Sequence, residues 1–260
     1  MCYDLVYMTE REMRYAKHIG ATDEEIEKIQ IRLDKIKEFI RPVFHVTGFA
    51  HPLIPVITDC DPWDIEFMQW GLLPFWEKDK VKAVKASNST LNARGETIFE
   101  KSSFKKAALG NRCIILADAF FEHHHFNGVK YPFRISYKNE DPIFIAGLWG
   151  NWVNTADGEV IRSCSLVTTV GNEMMARIHN NPELEGPRMP LILRHDEIKT
   201  WLKSSSLDEI KKLIKTYPAN ELMAYTVRRL RGKEAVGNRP EAKEKFIYAE
   251  LPGSILDDYQ

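Results

Sequence analysis

Short apolar segments interrupted by Pro, Gly and polar residues run from residue 43 to residue 169. Segments of this length and composition are typical of β-strands, and Asn127-Gly128 and Asp157-Gly158 are dipeptides that favour hairpin turns. So many strands in succession favour a fold centred on β-sheet. The predicted strands are FHVTGFA (44–50), HPLIPVIT (51–58), DIEFMQWGLLPFW (64–76), RCIILADAFFEH (112–123), YPFRISY (131–137), PIFIAGLWGNWV (142–153) and SCSLVTT (163–169).

Helices are predicted before and after this strand-rich run. Residues 22–40 combine a capping-box spacing of Thr22 and Glu25 with isoleucine and leucine at helical intervals. Near the C-terminus, HDEIKTWL (195–202) and LDEIKKLIKTY (207–217) are two further predicted helices. The chain therefore mixes strands and helices.

The order of these elements favours an α+β domain over a doubly wound α/β fold. The glycines form neither a dinucleotide-binding fingerprint nor a Walker loop. We expect a single domain over residues 2–250, with a mixed or antiparallel β-barrel-like core and peripheral helices. Residues 22–41 would be a helical insertion in this domain, and residues 251–260 a polar C-terminal tail.

The charge of the chain is nearly balanced. It carries 36 Lys and Arg against 37 Asp and Glu, for a formal net charge of −1. This argues against a surface coated with basic charge for bulk DNA binding, but a local basic groove stays open. Three basic runs could form such a groove or simply be solvated faces: KDKVKAVK (78–85), KSSFKK (101–106) and RRLRGK (228–233).

The cysteines and the N-terminus favour a cytoplasmic protein. No CxxC motif occurs, so neither a zinc ribbon nor a thioredoxin site is indicated. No secretory signal pattern is visible at the N-terminus, and no apolar run reaches the length of a membrane span. We expect four reduced thiols: Cys2, Cys60, Cys113 and Cys164.

Four stretches carry more polar residues than packing requires: MCYDL (1–5), LNARGET (91–97), ADAFFEHHH (117–125) and ARIHNNPELEGPRMPLIL (176–193). Taken singly, each has a plain explanation. Asn92 and Arg94 could decorate a turn. Glu122 could face solvent at the end of a strand, and His179 could cap a helix C-terminus, where a cation is favoured.

The three consecutive histidines 123–125 do not make a convincing metal site. Neighbouring strand residues point to opposite faces, so all three cannot converge on one ion. No Asp or Cys completes a set of ligands at a suitable spacing. We expect no metal and no cofactor.

Taken together, the four stretches resemble the SOS-response-associated peptidase (SRAP) family, whose members crosslink to abasic sites in single-stranded DNA. The resemblance spans nearly the whole chain, and its landmarks keep their order. They are Cys2 after Met1, WGLLPFW (70–76), NARGET (92–97), ADAFFE (117–122), AGLW (146–149), SLVTT (165–169), IH (178–179), RMPLIL (188–193) and GNRPE (237–241).

The resemblance implies two groups of site residues. The catalytic group is Cys2 as the nucleophile, with Asn92, Glu122 and His179 as its neighbours. The DNA-binding group is Arg94 and Arg188, which would grip phosphates, together with Trp70 near the DNA-binding face and Thr169 at the border of the site.

The sequence also departs from the family pattern. Many members have Gly-Arg after the cysteine, with the Arg contacting DNA, whereas this chain has Tyr3-Asp4. A carboxylate at this position is expected to repel a phosphate. The link between His179 and Arg188 is lengthened by NNPELEGP, which weakens the transfer of the role of Arg188.

Position 2 has a chemical meaning in this reaction. Removal of Met1 would leave Cys2 with an α-amine and a thiol on adjacent carbons. The amine could condense with the open aldehyde of an abasic sugar, and the thiol could then close a thiazolidine ring, an intramolecular step worth an effective molarity of about 10⁵ M or more. The α-amine, with a reference pKa of about 8, is far more often neutral at pH 7 than a lysine.

Three functions remain open from the sequence. The first is covalent capture of abasic sites in single-stranded DNA, with possible autocatalytic Met1 removal, crosslink reversal and lyase activity. The second is an N-terminal-nucleophile cysteine peptidase or amidase. The third is a nucleic-acid-binding module without catalysis. A monomer with no membrane partner is expected, associated with the nucleoid when bound to DNA, and no replication-fork partner can be read from the sequence.

Overall fold

A computed structural model of the chain describes residues 2–7, 22–27, 43–58, 65–183, 185–252 and 255. Its strands and α-helices are numbered in chain order. They are β1 (Asp4–Tyr7), β2 (Val43–Thr47), β3 (Leu53–Thr58), β4 (Ile65–Trp70), α1 (Lys80–Ser87), β5 (Asn92–Arg94), α2 (Ser102–Gly110), β6 (Arg112–Ala117), β7 (Ala119–Phe126), β8 (Val129–Tyr137), β9 (Ile143–Val153), β10 (Val160–Val170), α3 (Glu173–Ile178), β11 (Arg188–Pro190), α4 (His195–Lys203), α5 (Leu207–Leu213) and β12 (Leu222–Thr226).

Five strands form a closed barrel. Strands β4, β3, β6 and β9 follow one another in antiparallel pairs, and β9 pairs with β10. A parallel pair between β10 and β4 then closes the ring. The predicted α+β fold with a mixed barrel core is confirmed.

The turn after β4 requires a glycine. Gly71 has φ +111°, and a Cβ at this position would lie 2.8 Å from Nδ1 of His51. Its N–H donates to the carbonyl of Cys164 on β10 at 2.8 Å. The Trp-Gly pair of the WGLLPFW segment therefore has a structural reason, because any other residue would be strained and would clash.

A second sheet has the strand order β12-β8-β7-β1-β2. Asn127 and Gly128 both have positive φ and join β7 to β8 by a two-residue loop, as the sequence predicts. Strand β1 pairs antiparallel with β7, with Asp4 opposite Phe121. This pairing carries the N-terminus of the chain to the part of β7 that holds Glu122.

The helices α2 and α4 are tied to the barrel by buried polar contacts. The guanidinium of Arg112 on β6 donates to the carbonyls of Ala108 on α2 and Trp201 on α4. The indole N–H of Trp201 donates in turn to the carbonyl of Cys113 at 3.0 Å. These bonds satisfy carbonyls at helix ends that would otherwise be orphaned in the interior.

Other predictions meet the structure only in part. The capping box is confirmed, since the Thr22 N–H donates to Oε2 of Glu25 at 2.8 Å and residues 23–27 are helical. Residues 28–40 of the predicted helix, Cys60 and most of the predicted tail lie outside the described residues. Among the described residues, no helix is long and apolar enough to cross a membrane.

Candidate active site

Glu122 and His179 meet between β7 and the end of α3. Glu122 is 7% exposed and His179 is 5% exposed. Oε2 of Glu122 lies 3.7 Å from Nδ1 of His179, and Oε1 of Glu122 accepts the N–H of His123 at 3.1 Å. The structure therefore brings these two predicted residues into contact.

The end of α3 is held against β7 by polar contacts on both sides of His179. Nδ1 of His124 donates to the carbonyl of Arg177 at 2.9 Å. The side-chain amide of Asn180 accepts the N–H of His125 at 2.7 Å and donates to the carbonyl of His125 at 2.8 Å. Because three hydrogen bonds join the two elements, the position of His179 relative to Glu122 is fixed.

His179 is in its neutral form in this site. Nδ1 of His179 lies 3.1 Å from the backbone N–H of Arg188, which can donate to it, and 3.4 Å from the carbonyl oxygen of Arg188. Burial lowers the pKa of His179, although the negative charge of Glu122 opposes this effect. The contact between His179 and Glu122 is therefore not an ion pair at neutral pH.

Cys2 is buried beside these groups, at 1% exposure. Its Sγ contacts the carbonyl of Asp4 at 3.7 Å. Burial raises the pKa of the Cys2 thiol well above its ordinary value, and the negative charges of Glu122 and Asp4 raise it further. The Cys2 thiol is therefore protonated, and Glu122 lies close enough for its negative charge to disfavour the thiolate.

Asn92 has an unusual side chain at the start of β5. Strand β5 runs parallel to β10, with Asn92 opposite Leu166. Both Oδ1 and Nδ2 of Asn92 are buried, and neither finds a hydrogen-bond partner among the described residues. An unsatisfied buried amide costs about 1–3 kcal/mol, so this side chain is suited to a ligand that completes its hydrogen bonds.

The two arginines predicted to grip phosphates are both paired with carboxylates. Nη1 of Arg94 lies 2.9 Å from Oε2 of Glu185, a surface contact. Arg188 makes a bidentate pair with Glu96, at 2.9 Å and 2.8 Å. Arg188 thereby connects the NARGET segment to His179, whose Nδ1 accepts its backbone N–H.

A cleft of about 460 Å³ opens beside Glu122 and His179. Its lining also includes three cationic side chains, Lys130, Arg229 and Arg231. Two of these cations come from the RRLRGK run, which the sequence left open as either a groove or a solvated face. The structure places that run at the candidate site.

Asp4 is not an exposed carboxylate. It is 1% exposed, and its two oxygens contact Nε2 of His45 at 2.9 Å and Nη2 of Arg231 at 2.5 Å. The expected repulsion of phosphate assumed an uncompensated charge at the surface. Two partners instead neutralise or bind this carboxylate in the interior.

The chain was compared with known proteins. The family described as SOS response associated peptidase (SRAP) matches residues 6–233. The chain belongs to the SRAP family. It is 34% identical over 206 residues to the abasic site processing protein YoqW of Bacillus subtilis, a match that covers 75% of this chain and 87% of that protein.

Two further relatives extend this likeness beyond the bacilli. The abasic site processing protein HMCES of Gallus gallus is 31% identical over 182 residues, covering 62% of the chain and 51% of that protein. A crystal structure of a protein from Bacteroides thetaiotaomicron matches with a TM-score of 0.78 and 30% identity, over 95% of this chain and 100% of that one.

Two of the residues that the resemblance to the SRAP family assigned to DNA binding lie in the interior of the protein. Trp70 is fully buried, and its indole N–H donates to the carbonyl of Leu91 at 2.9 Å. Thr169 is 3% exposed and pairs with Met189 on β11. In this conformation neither side chain is open to a base or a phosphate, and the DNA-binding roles of Trp70 and Thr169 stay predictions. Trp70 instead supports the residue before Asn92.

Trp76, at the end of the same SRAP segment, is exposed. Its side chain is 49% exposed and its ring packs edge-on against Phe75, with centroids 5.0 Å apart. The ring of Trp76 is therefore accessible for stacking against a base. Neither Trp76 nor Phe75 lines the cleft beside Glu122.

Sequence reasoning missed the partners of Asp4. Arg231 lies 227 residues away in the chain and His45 lies 41 residues away. The basic run at 228–233 was the only signal for Arg231. The fold was needed to bring it to the N-terminus.

Proposed function

We propose that the chain processes abasic sites in DNA by covalent capture on single-stranded DNA. Cys2, once Met1 is removed, forms a thiazolidine with the ring-opened aldehyde of the abasic sugar. The YoqW and HMCES relatives are named abasic site processing proteins, which supports the substrate class. The observation that carries the chemistry is the contact of Glu122 with His179 beside the buried Cys2.

The crosslink requires no oxidant or reductant. The α-amine of Cys2 adds to the aldehyde carbon, and loss of one water gives an imine. The thiol then adds to the imine carbon, its proton goes to the nitrogen, and the ring closes. Because the amine attacks first, a thiol with a raised pKa does not block the first step.

Each neighbour has a role that its environment supports. Glu122 transfers protons as the sugar opens and water leaves, since it is close enough for its charge to act on the Cys2 thiol. Neutral His179 assists proton transfer or holds a phosphate. Asn92 offers a donor and an acceptor without charge, so it can orient the amine and leave its lone pair available. Arg94 and Arg188 bind phosphates after exchanging their glutamate partners.

The same site supports the reverse reaction and related steps. Protonation of the ring by Glu122 would reopen the imine, and addition of one water to the imine carbon would return the free α-amine and release the DNA as its aldehyde. Abstraction of a proton next to the imine would lead to strand cleavage by β-elimination. Autocatalytic removal of Met1 belongs to this proposal because Glu122 and His179 lie beside the residue that follows Met1.

The test uses a single-stranded oligonucleotide with one abasic site. Intact mass spectrometry first establishes that Met1 is absent. Wild type should then give an adduct that survives denaturation and has the mass of protein plus DNA minus one water. Cys2→Ala should give none. A tetrahydrofuran abasic analogue, which has no aldehyde, serves as the matched DNA control and should also give none.

Two outcomes would favour the other functions. Turnover of peptide or amide substrates by wild type but not by Cys2→Ala would support an amidase. Reversible binding of single-stranded DNA without any adduct, in protein lacking Met1, would support a binding module. The burial of Cys2 is the observation that favours the nucleic-acid-binding module.

A further inference from the structure

The cleft that holds Glu122 and His179 is also lined by cationic side chains. Lys130, Arg229 and Arg231 line the same cleft as Glu122 and His179. The guanidinium of Arg229 stacks over Tyr131 and Tyr248 at 5.1 Å and 5.4 Å, and its Nη1 donates to the carbonyl of Lys130 at 2.8 Å. The guanidinium of Arg229 is therefore held by neighbouring residues of the protein, whereas the side chain of Arg231 is more available to a ligand.

Arg231 is fixed at one end and exposed at the other. Its Nη2 lies 2.5 Å from Oδ2 of Asp4, whose side chain is 2% exposed, while the side chain of Arg231 is 47% exposed. A buried carboxylate that loses its partner is left uncompensated, which is unfavourable, so Asp4 holds this guanidinium. Arg231 also lines the cleft, so a ligand there can reach the exposed part of its side chain.

The state of Asp4 agrees with this arrangement. Burial alone would raise the pKa of Asp4, but the hydrogen bond from His45 and the charge of Arg231 outweigh burial, and its pKa lies below the usual value. An ionised Asp4 keeps the guanidinium oriented before any ligand arrives. A pre-oriented arginine loses less side-chain entropy when it binds a phosphate.

We propose that Arg231, oriented by Asp4, binds a backbone phosphate of single-stranded DNA in the cleft beside Glu122 and His179. This inference rests on the proposed function for the identity of the ligand. Arg231 is the binding residue, and Asp4 is a positioning residue that touches no DNA. A guanidinium bridging a carboxylate and a phosphate uses donors on different edges of its fork.

The test pairs a change in the protein with a change in the DNA. The oligonucleotide carries a tetrahydrofuran abasic analogue, so no adduct forms and binding is measured alone. Arg231→Gln should weaken binding by about tenfold or more, because a charged hydrogen bond is lost. It should also lower the slope of log affinity against log salt by about 0.7, the value for one phosphate contact on a single strand.

A second oligonucleotide replaces one phosphate next to the abasic analogue with a neutral methylphosphonate. Substituting the phosphate that Arg231 binds should weaken wild type by a similar factor and leave Arg231→Gln unaffected. Equal losses in both proteins at every position tested would overturn the assignment. Lys233→Gln, which removes a charge from the same segment but does not line the cleft, is the matched control and should retain the phosphate dependence.

Folding is controlled with a double variant. Arg231→Gln alone removes the arginine partner of Asp4 and leaves the hydrogen bond with His45 in place, so Asp4→Asn/Arg231→Gln removes the buried charge as well. The double variant should melt as a folded protein and bind DNA as weakly as Arg231→Gln. Asp4→Asn alone should weaken binding in part, and Arg231→Lys should recover part of the affinity. A wild type that binds the analogue with phosphate dependence but forms no adduct on a natural abasic site would overturn the proposed crosslinking alone.

Discussion

Two carboxylates, Glu122 and Asp4, raise the pKa of the Cys2 thiol in addition to burial. Asp4 is paired with Arg231 and His45 and holds that arginine in place. Glu122 contacts His179 and lines the cleft, so it is the carboxylate that can exchange protons with a substrate. At the scale of single residues, the carboxylate of Glu122 therefore has two opposite effects on the proposed reaction. It can transfer protons, which favours the reaction, and its negative charge disfavours the Cys2 thiolate, which opposes ring closure.

Glu122→Gln separates these two effects. If Glu122 transfers protons, the variant should form or release the crosslink about 100-fold more slowly, within the range of general acid–base catalysis. If thiolate formation limited the rate, removal of the charge would lower the thiol pKa and speed ring closure instead. Single-turnover rates of adduct formation and release measure both directions. The exposed Glu100→Gln is the control and should match wild type.

At the scale of elements, local features were readable and distant pairings were not. The capping box at Thr22 and the hairpin at Asn127-Gly128 depend on neighbouring residues, so a periodicity and a dipeptide sufficed. The parallel pair of β10 with β4 and the contact of Asp4 with Arg231 depend on residues far apart in the chain. The site stretches were recognised by their resemblance to a family. A motif does not say which way a side chain points, so the burial of Trp70 in the core could not be read from it.

Glu185, between His179 and Arg188 in the chain, is paired with Arg94, one of the two arginines predicted to bind DNA. Asn180 fixes the start of this segment to β7, and Glu185 places a carboxylate 2.9 Å from Arg94. The side chain of Glu185 is 82% exposed, so this pair contributes at most about 1 kcal/mol. A weak contact of this kind can give way to a phosphate.

Glu185→Gln should therefore strengthen binding of single-stranded DNA. Loss of the competing carboxylate should improve the affinity about twofold to fivefold at low salt, and the gain should shrink as salt screens the charges. Fluorescence anisotropy with a labelled oligonucleotide measures both. Glu183→Gln changes the same charge in the same segment without touching Arg94, and an equal gain there would mean that only net charge matters.

At the scale of the whole molecule, the histidines link stability to pH. Burial lowers the pKa of His123 from its ordinary 6.5 to about 4, although the charge of Asp4 opposes this. Burial also lowers the pKa of His179. The unfolded chain takes up these protons near pH 6.5, while the folded chain resists them until a lower pH. The free energy of unfolding should therefore be intact above pH 6.5 and fall as the pH is lowered toward 4.

His123→Gln should flatten this dependence. A shift from 6.5 to about 4 allows a loss of about 2 kcal/mol between pH 7 and pH 4.5, and the variant lacks the group that causes it. Asp4 does not interfere in this window, because its depressed pKa matters only below the ordinary value of 3.8. Urea unfolding at pH 7 and pH 4.5 measures the difference. The exposed His195→Gln should keep the wild-type dependence, and an equally steep loss in His123→Gln would show that other groups, with His179 the first to examine, carry the acid sensitivity.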